Sequence, residues 1–458
     1  MIKRTAAFLA AASAVICCAF AFTACGDKEN KEEETGGHRH NLKPVFENEV
    51  YGTADGDIAY YKCSECSQSF YDENAIQPLN YKDTDMLKRE FAIENLDDGA
   101  VPQGITAYYS DYTDGENIAV KQQYFLISAY MDDGSASRIY VTGETSGYIG
   151  YVTLQNEDGS AHTGQTGGIA TNGAYLWVGH GDSVLVATAS EGYENVLKEI
   201  IAKALINESD KEEDKQSVKF TASFKANCKA SFIGYFDDAR YTDTTYDRLY
   251  VGEFYRSGDT DSKPYMYEYN VDRTSKPNPY GLVRIDNTDM DKTISDNVPK
   301  IQKIFSIPEK IQGVTFSGRR GGTILSDSNA MLVLSQSNGL SASHLLCFDW
   351  KAVNETANRK LYRSVSGGNS FEYKEVYRTN GDKKTPYTDS GLYVYYLNEK
   401  TTVKSYTMPP MSEAMCTVTK TGATAEEIKK IYVLFNSGLY KYNSLIGNGL
   451  NGVYSIFP

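Results

Sequence analysis

A two-strand pattern recurs five times between Gln103 and Asn436, and it restricts the chain to folds assembled from repeated sheet units. The first member opens on a small or polar residue and turns apolar. It reads Gln103-Gly104-Ile105, Gly167-Gly168-Ile169, Ala230-Ser231-Phe232, Gln312-Gly313-Val314 and Glu413-Ala414-Met415. The second member reads Phe125 to Ala129, Leu176 to His180, Leu249 to Glu253, Leu332 to Gln336 and Tyr432 to Asn436. In four copies the third residue of the second member lies 21 to 24 positions after the opening residue, and in one it lies 11 after. A third strand often follows, as in Arg138-Ile139-Tyr140-Val141 and His344-Leu345-Leu346-Cys347. Such a meander cannot bury both faces alone, so neighbouring copies must cover it. The pattern predicts an all-β chain and a β-propeller of five counted blades, with six possible because the linkers around 256–310 and 348–410 are long. An irregular β-sandwich is the alternative. The strand-like Phe91-Ala92-Ile93-Glu94 stands ready to complete the last blade and seal the ring. Val196, Leu197, Ile200, Ile201, Ala204 and Leu205 recur at helical spacing and predict a helical insertion near 193–210. The β-propeller domain is expected over 85–458.

The N-terminus has a different character. Lys3 and Arg4 precede an apolar run from Ala6 to Phe22, which has the length of a signal-peptide core. Phe22-Thr23-Ala24-Cys25 then resembles a lipobox, the site at which bacterial lipoproteins are lipidated on cysteine. The resemblance implies a leader over 1–24, a lipid on Cys25 and an exported protein held at the outer face of the membrane. A plain secretory signal is the alternative. Residues 25–37, rich in Lys and Glu, lack apolar periodicity and are expected to be a tether.

Charge excludes some partners. There are 60 acidic residues against 46 basic ones, two of which leave with the leader. No basic patch offsets this, which argues against nucleic acid and against adhesion to anionic lipid by charge. The 36 tyrosines suit half-buried strands and sugar-stacking surfaces equally.

His38 and His40 precede Cys63-Ser64-Glu65-Cys66. Two cysteines separated by two residues can grip one Zn²⁺ from a tight turn, and two imidazoles complete a tetrahedron. Asp55 to Ile58, Tyr60-Tyr61, Cys63-Ser64, Cys66, Phe70 and Asp72 resemble the small zinc-ribbon-like modules of Firmicutes surface proteins. That resemblance implies a module over 38–80 with a structural zinc on His38, His40, Cys63 and Cys66. A disulfide between Cys63 and Cys66, or exposed thiols, are the alternatives.

The region 100–442 resembles a set of exported bacterial propeller proteins without assigned function. The residues that carry it are His162 to Ala170, Leu176-Trp177-Val178, Val251 to Tyr255, Ile311 to Val314 and Pro409 to Glu413. The resemblance implies fold and exported location and brings no reaction. Where the set often has Gly-His before the Gly-Gly pair, this chain has Gly164-Gln165.

The repeat register points to two sets of equivalent positions: Gln103, Gly167, Ala230, Gln312 and Glu413, and Ala129, His180, Glu253, Gln336 and Asn436. Polar groups at the edge of an apolar repeat are ligand-binding candidates, here Gln103, His180, Glu253, Gln312, Gln336, Glu413 and Asn436. Satisfying backbone groups at blade junctions is their other role. The sequence has no Gly-x-Ser-x-Gly elbow and no His-Glu-x-x-His helix. A glycosidase would need two facing carboxylates, for which Glu253 and Glu413 are the candidates. The leading expectation is a non-catalytic surface lipoprotein that binds a glycan or protein. A carbohydrate-active hydrolase or lyase, and a structural scaffold, are the alternatives.

Overall fold

The computed structural model describes residues 38–458 apart from 47, 50–53, 55, 67, 71, 77, 79–86, 94–98, 114–118, 210–214, 238–246, 257–263, 273–277, 285–298, 319–329, 362–376, 381–382, 387–391, 418–426 and 437–449. The expected leader, Cys25 and the tether lie outside the described residues. Within them the chain is mostly β, with two α-helices, Val196–Ser209 and Trp350–Val353. No helix among the described residues is long and apolar enough to cross a membrane.

A small antiparallel sheet comes first: Leu42–Phe46, Ile58–Cys63 and Ser69–Phe70. It buries Val45, Tyr60, Cys63 and Phe70. The turn after Cys63 is closed by the Cys63 amide donating to the Gln68 carbonyl at 2.9 Å.

Five larger sheets follow. The first is a meander of Ala100–Thr113, Ala119–Met131, Arg138–Gly143 and Gly147–Gln155, with Ser217–Lys219 added in parallel at its outer edge. The second is Ile169–Thr171, Tyr175–His180, Ser183–Thr188 and Ala222–Lys225. The third is Phe232–Phe236, Arg248–Gly252, Tyr265–Asn270 and Ile301–Ser306, extended by Tyr393–Tyr396 and Arg359–Leu361. The fourth is Ile311–Ser317, Met331–Gln336, Ser343–Asp349 and Thr402–Met408. The fifth is Ser412–Thr417, Ile431–Phe435 and Gly452–Ile456, and its outer strand is Lys88–Phe91. The segment before the repeats thus pairs with the last strand of the chain, centred a few residues before the expected Phe91 to Glu94. The long linkers contribute strands to the edges of the third and fourth sheets; no sixth meander lies among the described residues.

Each sheet presents alternate side chains to its two neighbours. In Ala119–Met131, Tyr124 and Leu126 join one apolar cluster with Ile169, Leu176 and Val178 of the second sheet. Phe125 and Ile127 join another with Ala414, Tyr432 and Leu434 of the fifth. Three more clusters join the second sheet to the third through Trp177 and Val251, the third to the fourth through Tyr250 and Leu332, and the fourth to the fifth through Val333 and Val433. Each of these five sheets therefore has both faces covered. The leading strands follow the same order, each lying against the next, with that of the fifth sheet against that of the first.

Glycine permits this approach. A Cβ on Gly104 would sit 2.7 Å from the Ile169 amide nitrogen, and one on Gly313 would sit 2.9 Å from the Ala414 Cα. The leading strand of the third sheet also reaches those of the first and fifth.

The helix Val196–Ser209 forms as its periodicity predicts. The Asn195 side chain accepts from the Lys198 amide at its start. Val196, Leu197, Ile200, Ile201 and Ala204 are fully buried among the first and second sheets. Leu205, expected on the same face, is exposed.

Because backbone faces the missing Cβ of Gly104, Gly104→Val should cost about 1–3 kcal/mol through overpacking. Chemical denaturation of the wild-type and variant proteins measures this, and an unchanged midpoint would contradict the close approach.

Candidate functional site

The leading strands share an irregularity at their entry ends. Gln103, Gln312 and Glu413 each fall where the pairing register slips by one residue, between Pro102 and Gly104, Ile311 and Gly313, and Ser412 and Met415. In the second sheet the Gly167 amide donates to the Gly179 carbonyl, and the Gly179 amide donates to the Gly168 carbonyl. In the third, the Ser231 amide donates to the Gly252 carbonyl beside the Phe232–Gly252 pair. Each is a β-bulge, which places an extra residue in one strand and re-aims its side chain. The bulges also meet across sheets: a Cβ on Gly167 would meet the Ala230 and Ser231 carbonyls, and one on Gly313 the Glu413 carbonyl.

The bulges correct two predicted equivalences. Ile233 pairs with Val251 as Val314 pairs with Leu334, so Ser231, not Ala230, matches Gln312. Ser412 pairs with Phe435 as Ile311 pairs with Gln336, so Phe435, not Asn436, matches Gln336. Asn436 instead matches Ser337. Its amide donates to the Met411 carbonyl, as the Ser337 amide donates to the Lys310 carbonyl. Lys310 and Met411 hold φ of 63° and 60°, a left-handed conformation unusual for side chains of this size.

At this end, hydrogen bonds bridge every junction. The Ser128 hydroxyl donates to the Thr166 carbonyl between the first and second sheets. The Ala230 amide donates to the Gly181 carbonyl between the second and third, and the Lys310 amide to the Tyr255 carbonyl between the third and fourth. Ser335 Oγ and Ser412 Oγ lie 2.7 Å apart between the fourth and fifth. Asn436 Nδ2 reaches the Pro102 carbonyl at 3.5 Å, between the fifth and first.

Asn436 Nδ2 also donates to Glu413 Oε1 at 2.9 Å. Burial pushes the Glu413 carboxyl up to about 8, against the pull of that bond, so it is protonated and neutral at pH 7. Its charge, when formed, acts on Tyr130. Asn436 Oδ1 is buried with no hydrogen-bond partner among the described residues. Glu253 is fully buried, and its charge acts on the buried Cys228 thiol. Gln336 is half-buried and donates to the Glu309 carbonyl at 2.9 Å. Gln103 and Gln312 are half-buried.

His180 is half-buried and ends the strand Tyr175–His180, two residues past Val178, the last to pair with the leading strand. Its neighbour is a residue that the repeat register did not single out. His162 is 3% exposed, and its ring meets that of His180 edge to face, with centroids 4.8 Å apart. Burial, then the nearby His180, hold the His162 imidazole at about 4, well below its ordinary value. A Cβ on Gly164 would strike the His180 ring, which explains the glycine there. Gln165 contributes its backbone carbonyl, which His180 Nδ1 meets at 3.0 Å.

The predicted metal ligands also assemble. The ligand atoms of His38, His40, Cys63 and Cys66 all lie within 4.8 Å of one another. Cys63 and Cys66 are not joined in a disulfide. Two thiols and two imidazoles at this spacing could hold a metal ion.

The chain matches no family model, and no curated protein matches it in sequence. Solved structures give distant likenesses. Hsv2 of Kluyveromyces lactis has a TM-score of 0.25 at 8% identity, covering 74% of this chain and 72% of its own. Hsv2 of Kluyvelomyces marxianus has a TM-score of 0.24 at 6% identity, covering 72% and 89%.

The Glu413 proton has a measurable consequence. Between the ordinary carboxylate value and about 8, the folded state holds a proton that the unfolded state has lost. Stability therefore falls as pH rises through that window, by on the order of a few kcal/mol. Glu413→Gln, which mimics the neutral acid, should flatten that slope between pH 5 and about 8. Thermal melts of both proteins across the window check it, and parallel slopes would refute the assignment.

Proposed function

We propose that the five sheets are the blades of a five-bladed β-propeller on an exported lipoprotein, and that its bulged end binds an extracellular glycan or protein without catalysis. The observation that carries this reading is the gathering of Gln103, Gln312, Glu413 and Asn436 at the bulges of adjoining sheets. An amide or neutral acid both donates and accepts, which suits hydroxyl-rich or peptide ligands. The unpartnered Asn436 Oδ1 offers an acceptor there. The left-handed Lys310 and Met411 frame the same end, and strain of that kind clusters at ligand sites. A hydrolase using Glu253 and Glu413 is less favoured, because Glu253 is fully buried and does not face an open cleft. A glycosidic bond must pass between such a pair.

In this reading Cys25 carries the lipid, residues 25–37 act as a tether at the outer face of the membrane, and the sequence 38–80 forms a zinc-stapled module. The four ligands fill a tetrahedron, so the zinc role is structural. A module of this size has too small a core to stand without a staple.

Two measurements test the proposal. Soluble protein beginning at residue 26 is incubated with cell-wall and dietary polysaccharides, and retention and product release are both measured. Retention without product is expected. Loss of retention on every glycan would remove that ligand class, and released product would overturn the non-catalytic reading. The same protein, purified reduced and without chelator, should carry about one equivalent of zinc, and less than about half an equivalent would contradict the staple.

A further inference from the structure

The His162 and His180 imidazoles share a hydrogen-bonding arrangement that leaves the same nitrogen bare on each. Asn156 Nδ2 faces the Ser160 hydroxyl and the Ala161 carbonyl, at 3.0 and 3.3 Å. Its Oδ1 is therefore the atom 2.9 Å from His162 Nδ1, and an amide oxygen only accepts. The proton of the neutral ring is thus on Nδ1, and Nε2 carries the lone pair. His162 Nε2 is buried and has no hydrogen-bond partner among the described residues. His180 repeats the pattern, since its Nδ1 donates to the Gln165 carbonyl and its Nε2 keeps the lone pair. An Nδ1–H held by an oxygen is the arrangement that fixes the tautomer of metal-ligating histidines. A buried acceptor without a donor is destabilising, and a cation at the lone pair removes that cost.

The ring geometry agrees. His162 and His180 stand with centroids 4.8 Å apart and planes at 77°. His38 and His40, whose nitrogens belong to the four-ligand cluster, stand 4.9 Å apart at 79°. The two pairs thus share a centroid separation and an angle between planes. Gly164 leaves room for the His180 ring, and the Phe220 ring packs against His162, 5.5 Å from it. No carboxylate or thiol joins the pair to make a third ligand among the described residues.

We propose that His162 and His180 form a second metal site, binding a borderline divalent cation such as Cu²⁺ or Zn²⁺ through their Nε2 atoms. Imidazole nitrogen suits these ions. With two protein ligands the ion keeps positions open to water or to an incoming donor, unlike the four-ligand cluster. The half-buried His180 gives it a path from solvent, and the buried His162 fixes its depth. This site does not depend on the ligand proposed above.

The test uses Cu²⁺ as probe on the soluble chain from residue 26, with Cys63→Ser and Cys66→Ser removing the thiols of the other cluster. Titration followed by electron paramagnetic resonance should show one equivalent of Cu²⁺ with coupling to two imidazole nitrogens. Adding His180→Gln should weaken binding on the order of tenfold or more and reduce the coupling to one nitrogen. The unmutated chain and its His180→Gln variant are titrated in parallel, so that a folding defect of the serine variant does not decide the outcome; the variant should need a higher free Cu²⁺ concentration to take up its last equivalent. Matching melting curves establish that His180→Gln is folded. Equal stoichiometry and affinity with and without His180 would overturn the site, as would a spectrum without imidazole coupling.

Discussion

Covering both faces of every sheet is the constraint on which the rest of this molecule depends. A four-stranded meander exposes two apolar faces, and each here is covered by a neighbouring sheet. The five clusters that result follow one another in chain order and return to the start. The return requires the fifth sheet to be completed, and Lys88–Phe91, from before the first repeat, does so. Neighbouring leading strands then come so close that Gly104 and Gly313 face backbone where a side chain would stand.

The bulges follow from the same crowding. An extra residue at the entry of each leading strand turns the backbone and frees one side chain from the sheet's alternation. Where that residue is Gln or Glu, it adds a hydrogen-bonding group without disturbing the apolar clusters below. The bridges at the five junctions tie this end together, so its side chains rest on a rigid base. That is the arrangement a binding site needs, because groups held in place lose little entropy when a ligand arrives.

Much of this was legible in the sequence. Repetition of small-then-apolar openings located all five leading strands, and helical spacing located Val196–Ser209. The polar openings Gln103, Gln312 and Glu413 stood out against an apolar repeat, and His38, His40, Cys63 and Cys66 carried recognisable ligand spacing. What escaped has a physical reason. A bulge adds one residue without altering composition, so Ala230 and Asn436 were aligned one position away from their true equivalents. Lys88–Phe91 carries three charged residues in four, and an outer strand needs no apolar pattern to pair. His162 lies in a glycine-rich loop 18 residues before His180. Nothing in that spacing announces a contact, which arises only when the loop folds back over the strand end.

The central claim is that the bulged end of the five sheets is where an extracellular ligand binds. Hydrogen–deuterium exchange on the soluble protein, with and without the polysaccharide it retains best, tests this directly. The account predicts added protection confined to peptides spanning 101–104, 310–313 and 411–415 and to the neighbouring strand ends. Protection confined to the outer strands, or to the small N-terminal sheet, would contradict it.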